Sequence, residues 1–232
     1  MDFERNFLVS ILKFTKDGPV SEEVLAKDSR VVSGLASRML FRLCAEGLVS
    51  FKAGIVEVGV FERLSLAVKA ISLGVDSEQI SKFLSWQEFE SISAIVLERN
   101  GYKVENNVRF KGNGRRWEID VVGFNKPIVL CIDCKHWGSA ISQSSMKKIV
   151  SEQIDRTRAF FEAMPDIHRQ FECYRWDKAK FVPAIVTLLP GVFKFYEDVP
   201  VVPVLQIQDF VHQIPAFVGS LKCFVKSFTH LV

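Results

Sequence analysis

The chain has 232 residues, of which 48% are hydrophobic and 25% are charged, and this composition excludes a disordered or low-complexity protein. No apolar run reaches the roughly 18 residues that a membrane span requires. The start MDFERNFLVS carries Asp2 and Glu4 and lacks both the basic beginning and the small-residue cleavage site of a secretory signal. Five cysteines, an odd number in a chain of this length, favour a reducing compartment over a disulfide scaffold. We therefore expect a soluble, cytoplasmic protein that does not bind membranes.

The net charge of +3 is small, but it is unevenly distributed along the chain. Residues 1–80 carry 10 Lys and Arg against 11 Asp and Glu, whereas residues 101–181 carry 15 against 10. A basic middle region suits a polyanion such as nucleic acid, although an ordinary solvated surface has the same composition.

Helical spacing of apolar residues and Gly or Pro breaks divide the first part of the chain into short elements. They predict helices at residues 5–15, 22–27, 31–46 and 61–74, and strands at 48–52 and 55–59. Ser21 is the expected N-cap of the second helix, and Gly47 is the expected end of the third.

Two helices at this spacing, followed by a strand pair, resemble a winged helix-turn-helix domain, and we assign residues 1–80 to it together with the connecting helix. The resemblance implies that Arg38 and Arg42, on the second helix of the motif, contact DNA. The acidic net charge of this segment leaves another reading open, in which the domain orients its neighbour, dimerises or binds a partner protein.

Residues 81–232 show a different pattern, which begins with the capping box Ser85-x-x-Glu88. The predicted elements are a helix at 85–100, strands at 102–110, 116–122 and 129–135, a helix at 144–164, strands at 181–189 and 199–205, and a helix at 208–218. A strand meander followed by a helical crossover into a further strand predicts a mixed sheet flanked by helices. The expected fold class is therefore α/β, preceded by the small winged-helix domain.

Charged residues interrupt two of these otherwise apolar strands, in the segment RRWEIDVVGFNKPIVLCIDCKHW. Strand alternation predicts two sets of residues that each share one side of a strand: Glu118, Asp120 and Val122, and Cys131, Asp133 and Lys135. Charges inside an apolar run are costly unless they are paired or bound to a metal. Carboxylates from neighbouring strands offer the hard oxygen ligands that Mg²⁺ prefers, with Mn²⁺ as a substitute, and Lys135 would lie beside the ion.

Several stretches between residues 85 and 218 resemble the PD-(D/E)XK nuclease superfamily, and within it the Mrr-type restriction-endonuclease-like domains: WQEFESISAIVLERNGYKV, EIDVV, IDCKHW, PAIVTLLP and VPVVPVLQIQDF. The resemblance implies that Asp120 and Asp133 are the motif acids and Lys135 the motif lysine. It also implies Glu90 and the main-chain carbonyl of Cys134 as further metal ligands. Asp133 stands where Glu or Gln is more usual, and no Pro precedes the first acid.

Other polar residues near these motifs have a functional and a structural interpretation. The candidates for contact with nucleic acid are Arg115, Arg116, His136, Gln153 and Arg156, and for each of them a solvated or hydrogen-bonded side chain is the alternative. For the two aspartates the alternative is pairing with a nearby lysine. Cys131 and Cys134 are expected on opposite faces of their strand, which argues against a zinc site.

The hypothesis from the sequence is a Mg²⁺-dependent DNA endonuclease of restriction, repair or recombination type, with the catalytic domain at residues 81–232. A resolvase of branched DNA, acting as a symmetric homodimer, is a variant of this hypothesis. The alternatives are a DNA-binding protein with an inactive nuclease-like domain and a module that binds a repair or recombination partner, with the Phe-rich end LKCFVKSFTHLV as its contact surface.

Overall fold

The computed structural model describes residues 2–135, 142–167, 171–188 and 190–228. Contacts divide the chain into two compact units, residues 1–88 (unit 1) and residues 89–232 (unit 2). Within the described ranges, no helix has both the length and the apolar character that crossing a bilayer demands.

Unit 1 is built from helices and a small antiparallel sheet with the strand order β1-β3-β2. Its elements are α1 (Asp2–Phe14), β1 (Val20–Ser21), α2 (Glu22–Ser29), α3 (Ser33–Ala45), β2 (Ser50–Lys52), β3 (Ile55–Glu57), α4 (Val60–Ser72) and α5 (Ser77–Ser81). The next helix, α6 (Trp86–Arg99), crosses the boundary between the units.

Local signals explain where the elements of unit 1 begin and end. The Ser21 hydroxyl accepts a hydrogen bond from the Val24 N–H at 3.5 Å, as expected of the N-cap of α2. Gly47, with φ of 71°, follows α3 in the left-handed conformation that glycine adopts most easily. Helix α1 contacts both α2 and α4, and Phe7, Leu25 and Leu64 of these three helices are fully buried.

Unit 2 is a mixed sheet with helices packed on it, which confirms the predicted fold class. After α6 its elements are β4 (Lys103–Gly112), β5 (Arg115–Asn125), β6 (Ile128–Lys135), α7 (Gln143–Ile167), β7 (Lys178–Thr187), β8 (Phe195–Tyr196), β9 (Val199–Pro203), α8 (Ile207–Phe217) and β10 (Phe224–Ser227). The strand order is β4-β5-β6-β7-β9-β8, and β10 pairs with β7. The β4-β5-β6 meander is antiparallel, whereas β6, β7 and β9 are parallel to one another, with α7 as the crossover between β6 and β7.

The two faces of this sheet pack against different helices. On one face Phe160, Ala163 and other residues of α7 share a core cluster with Phe110, Phe124 and Phe181 of the strands. On the other face α6 approaches closely at Gly123, where an added Cβ would lie 3.0 Å from Leu97 and Tyr102. The absence of a side chain at this position therefore lets α6 pack directly on β5.

The strands of the β4–β5 hairpin extend further toward its turn than the predicted strands at 102–110 and 116–122. Asn113 and Gly114 have φ values of 51° and 73°, so the chain reverses within two residues. An Asn-Gly pair with positive φ at both positions is the preferred two-residue turn between antiparallel strands. Lys111, Gly112 and Arg115 consequently remain in the strands.

The end of the described chain differs from the expectation of a free contact surface. In β10 residues 224–227 pair with residues 178–181 of β7, and Phe224 and Phe228 pack against the core of unit 2. These two partly buried rings are therefore engaged within unit 2, and a partner-binding role of this stretch stays a prediction. Residues 229–232 of the same stretch lie outside the described residues, as does Leu189 of the predicted strand at 181–189.

Candidate active site

A local distortion of two strands sets the position of Asp120. The residue pairs on either side of it in the β4–β5 ladder are Asn106–Val121 and Val108–Ile119, and the β5–β6 ladder ends at Val121–Ile132. Asn107, which stands opposite Asp120, has a φ of 51°. Asp120 thus sits where regular pairing is interrupted on both sides.

Because of this distortion, the prediction that Glu118, Asp120 and Val122 share one side of the strand is wrong. Ile119 and Val122 are three residues apart, yet both belong to the core cluster that packs on α7. Strict alternation would place them on opposite faces. The alternation is therefore broken at Asp120, and Val122 is a core residue while Glu118 is exposed.

The carboxylate of Asp120 bridges to the neighbouring strand. Its Oδ2 accepts a hydrogen bond from the Cys134 N–H at 2.7 Å. Burial raises the pKa of Asp120 to about 6, and the negative charge of Asp133 adds to this effect, whereas the Cys134 N–H, Lys135 and Arg156 oppose it. Asp120 is thus a carboxylate that is held beside a second carboxylate and close to two cations.

Asp133 is almost fully buried and is bound by two cationic side chains. Lys135 Nζ lies 3.0 Å from Oδ1 and 2.8 Å from Oδ2 of Asp133, and Arg156 Nη1 of α7 forms an ion pair with Oδ1. The exposed fraction of the Asp133 side chain is 3%, against 21% for Lys135 and 19% for Arg156. The two cations provide the compensation that a buried carboxylate requires, and they still reach solvent.

Gln153 anchors this arrangement from α7 and does not face solvent. Its Nε2 donates to the Cys131 carbonyl at 2.8 Å, and its Oε1 accepts from Arg156 Nη1 at 2.9 Å. Because Gln153 is 0% exposed, the predicted contact of this side chain with nucleic acid is wrong. Gln153 holds Arg156 in the orientation in which Arg156 binds Asp133.

We expect Gln153→Leu to lower the free energy of unfolding by about 1–3 kcal/mol, because the buried Cys131 carbonyl loses its partner and Arg156 loses its anchor. Urea denaturation of the variant and the wild type measures this difference. Gln143→Leu, at the exposed start of the same helix, is the control and should change stability by less than about 0.5 kcal/mol. Equal effects of the two substitutions would contradict the anchoring role.

Glu90 lies on α6 and forms no hydrogen bond with either aspartate among the described residues. Its Oε2 accepts from Asn107 Nδ2 at 3.4 Å. Across the described ranges no three His, Cys, Asp or Glu side chains gather into a group that could hold a metal ion. The negative charges of Asp120, Asp133 and Glu90 all act on the Cys134 thiol, and the role of Glu90 as a third carboxylate ligand stays a prediction.

Cys134 links the two sides of the site through its backbone and its thiol. Its N–H binds Asp120, while its Sγ lies 3.7 Å from the Ser93 hydroxyl of α6. Burial raises the pKa of the Cys134 thiol, and the negative charge of Asp120 raises it further, so the thiol stays protonated. Cys131 instead belongs to the cluster on the α7 face, so the two cysteines lie on opposite faces, as the sequence predicts.

The residues present fit a divalent cation of the hard type. Mg²⁺ typically takes one or two protein carboxylates and completes its shell with water and substrate phosphate, so a third carboxylate is not needed. Asp120 and Asp133 supply two such groups, and the Coulombic repulsion between them is what a bound cation would relieve. The Cys134 carbonyl remains a predicted further ligand.

The other residues predicted to contact nucleic acid lie at separate places along the chain. Arg38 is exposed on α3, where its Nε donates to the Gly34 carbonyl at 3.2 Å. Arg42 is engaged within unit 1 by an ion pair with Glu4. His136 lies outside the described residues.

Arg115 and Arg116 lie at the far end of the β4–β5 hairpin and are both exposed. The Arg115 guanidinium stacks over the Trp117 ring, 4.2 Å from its centroid. Arg116 alternates with Trp117 and Arg115 along β5 and so faces the other side of the hairpin.

Sequence reasoning missed Asn107 and Ser93, which approach Glu90 and Cys134 respectively. Asn has a raised tendency to adopt positive φ, which was the available signal for the distortion at Asn107. For Ser93 the apolar helix pattern carries no signal, because the contact spans 41 residues of chain.

Parts of the chain are similar to known proteins. Residues 85–178 match the family model described as a nuclease-related domain (NERD). An uncharacterized protein of Archaeoglobus fulgidus is 25% identical over 137 residues, which span 59% of this chain and 97% of that protein.

Two solved structures also resemble the chain. The restriction endonuclease FokI is 13% identical with a TM-score of 0.41, over 95% of this chain and 44% of that one. The Vibrio cholerae protein VC1899 is 14% identical with a TM-score of 0.36, over 94% of this chain and 50% of that one. The chain spans half or less of the length of these two proteins.

Proposed function

We propose that this protein is a metal-dependent nuclease that hydrolyses phosphodiester bonds in DNA at a site in unit 2. One observation carries the proposal: Asp120, Asp133, Lys135 and Arg156 converge where β5 and β6 part, within the residues that match a nuclease-related domain. Two carboxylates beside two partly exposed cations suit a cation and a phosphodiester at the same place.

Each residue has a proposed role that follows from its contacts. Asp120 and Asp133 would hold Mg²⁺, which supplies charge neutralisation at the phosphodiester and acidifies a water molecule. Lys135 reaches solvent from its ion pair with Asp133, and we assign it to orient the attacking water and to stabilise the charge that develops on the phosphate. Arg156 forms an ion pair with Asp133 and, where its guanidinium is exposed, can donate to a phosphate oxygen.

A plasmid-nicking assay with Mg²⁺, Mn²⁺ or EDTA tests the proposal. We expect the wild type to nick supercoiled DNA with either cation and not with EDTA. Lys135→Ala should lower the nicking rate by roughly 100-fold or more, because the group that assists the water is lost. The control is Lys126→Ala, which removes an exposed lysine that pairs with Asp177 in unit 2.

Wild-type protein that binds DNA with salt sensitivity but does not nick it with either cation would support the alternative, an inactive nuclease-like domain. Nicking that is equally fast in Lys135→Ala and in the wild type would contradict the role of Lys135. Comparison of linear, single-stranded, methylated and four-way-junction DNA identifies the substrate.

For unit 1 we propose a winged helix-turn-helix that positions the DNA or a partner protein. The order of α2, α3 and the β2–β3 pair supports this proposal. Arg38 and Arg42 are the candidates for phosphate contact; both are exposed, and Arg42 also pairs with Glu4.

A further inference from the structure

The β4–β5 hairpin continues past the end of its pairing with β6. β5 pairs with β6 only at residues 121–125, whereas it pairs with β4 as far as Arg115 opposite Gly112. Residues 108–119 therefore form a two-stranded ribbon that leads directly into Asp120. We call this segment the ribbon.

One face of the ribbon is fixed in place by α7. Phe110 and Ile119 belong to the core cluster that includes Phe160, and Trp117 packs against the same cluster. At the tip, Asn113 Nδ2 donates to Glu162 of α7 at 2.8 Å, and Trp117 Nε1 donates to the Gly112 carbonyl at 3.1 Å. The opposite face is therefore presented to solvent on a rigid support.

This solvent-facing side, the outer ribbon face, carries Arg109, Lys111, Arg116 and Glu118. Together with Phe110 and Trp117 they line an open groove of about 660 Å³. Arg109 and Glu118 are cross-strand partners and neutralise each other, with Nε–Oε2 and Nη2–Oε1 distances of 3.0 and 3.3 Å. The other pair on the face is Lys111 and Arg116, which also stand directly opposite each other.

Two like charges at directly opposite positions destabilise a strand pair. Within the described ranges neither Lys111 nor Arg116 has an acidic partner that could compensate this repulsion. The outer ribbon face thus holds two uncompensated cations on a rigid surface. Such a surface is suited to bind an anionic ligand.

We propose that the outer ribbon face binds the phosphate backbone of duplex DNA beside the active site, with Lys111 and Arg116 as the phosphate contacts. This inference rests on the proposed nuclease function, since Asp120 lies four residues after Arg116 on the same strand. At about 3.3 Å per strand residue, the cations lie roughly 13 Å from the site. A duplex advances about 3.4 Å per phosphate along one strand, so this distance corresponds to about four base pairs.

Duplex DNA fits this surface better than an acidic protein segment does. A continuous polyanion can place one phosphate at the site and others along the ribbon, whereas an acidic peptide has no group for the active site. Residues 101–181, which contain both the ribbon and the site, also hold the basic excess of the chain.

The test is the salt dependence of binding by the full-length double variant Lys111→Gln, Arg116→Gln. Fluorescence anisotropy with a labelled duplex in EDTA measures binding apart from cleavage. Loss of two phosphate contacts should lower the magnitude of the negative slope of log K against log salt by about 1.8 and weaken binding roughly tenfold or more near 0.1 M salt. Thermal stability should not fall, since a like-charge pair is removed.

The matched control is Lys178→Gln, Lys222→Gln, which removes two exposed lysines elsewhere in unit 2 and should leave the slope within about 0.5 of the wild type. Equal slopes for the ribbon variant and the wild type, with wild-type nicking intact, would overturn the ribbon inference alone. A smaller slope magnitude for the ribbon variant, together with a wild type that does not nick DNA, would support the ribbon inference and contradict the proposed nuclease function. A lowered affinity for acidic polypeptide without a change for duplex DNA would also overturn the inference.

Discussion

Asp120→Asn is expected to abolish Mg²⁺-dependent nicking and, at neutral pH, to make the folded protein more stable than the wild type. Nicking should fall by roughly 100-fold or more, because a proposed carboxylate ligand is lost. The Asn side-chain oxygen can still accept the hydrogen bond from the Cys134 N–H, so the local structure should persist. Burial and the neighbouring negative charge disfavour the ionised form of Asp120, so this carboxylate lowers the stability of the folded protein. The neutral Asn side chain removes this destabilisation.

The gain in stability should depend on pH in a defined direction. The folded-state pKa of Asp120, about 6, lies above its ordinary value of 3.8, so the folded protein binds this proton more tightly than the unfolded chain does. The contribution of the group to stability is therefore complete below about pH 4 and is lost as pH rises through 6. Asn does not titrate, so the variant should match the wild type near pH 4 and exceed it by about 2 kcal/mol above pH 7.

Thermal unfolding in EDTA at pH 4 and pH 8 measures this difference, and added Mg²⁺ should raise the Tm of the wild type but not that of Asp120→Asn. Asp155→Asn, at an exposed position of α7, is the control and should show neither effect. The proposal for the site would be wrong if Asp120→Asn nicked DNA at the wild-type rate.

Arg63→Met is expected to cause the largest loss of stability, about 3–5 kcal/mol in unit 1. Arg63 is 3% exposed, and its Nε forms an ion pair with Glu88 at 2.5 Å. Its other nitrogens donate to the carbonyls of Leu12 and Phe83 and to the Thr15 hydroxyl, at 2.9, 2.5 and 2.7 Å. The substitution leaves these acceptors and the Glu88 carboxylate without the cation, and an unpaired buried charge is expensive.

Chemical denaturation monitored by far-UV circular dichroism measures this loss. The double variant Arg63→Met, Glu88→Gln should recover part of it, since the second substitution removes the unpaired charge. Arg38→Met, at an exposed position, is the surface control and should change stability by less than about 0.5 kcal/mol. A loss below 1 kcal/mol for Arg63→Met would show that the buried network contributes little.

Much of the fold follows from signals that act over a few residues. The apolar spacing predicts α7 to within three residues at either end, because a helix of that length must bury one face. The capping box is also confirmed: the Ser85 N–H donates to Glu88 Oε2 at 2.5 Å, and the Glu88 N–H donates to the Ser85 hydroxyl at 3.3 Å. The Asn-Gly turn of the β4–β5 hairpin is also a local signal. The strand ends beside it were nevertheless predicted too short, because polar residues and glycines surround the turn.

Within the candidate site, the sequence by itself determined that Cys131, Asp133 and Lys135 lie on one side of β6, since alternation is regular along that strand. Only the tertiary structure decided the position of Asp120, the burial of Gln153 and the engagement of Asp133 by Arg156. The Cys134–Asp120 and Arg156–Asp133 contacts join residues 14 and 23 positions apart. Such contacts depend on the register of two strands and on how α7 packs on the sheet. The pattern of neighbouring residues along the chain predicts neither the register nor this packing.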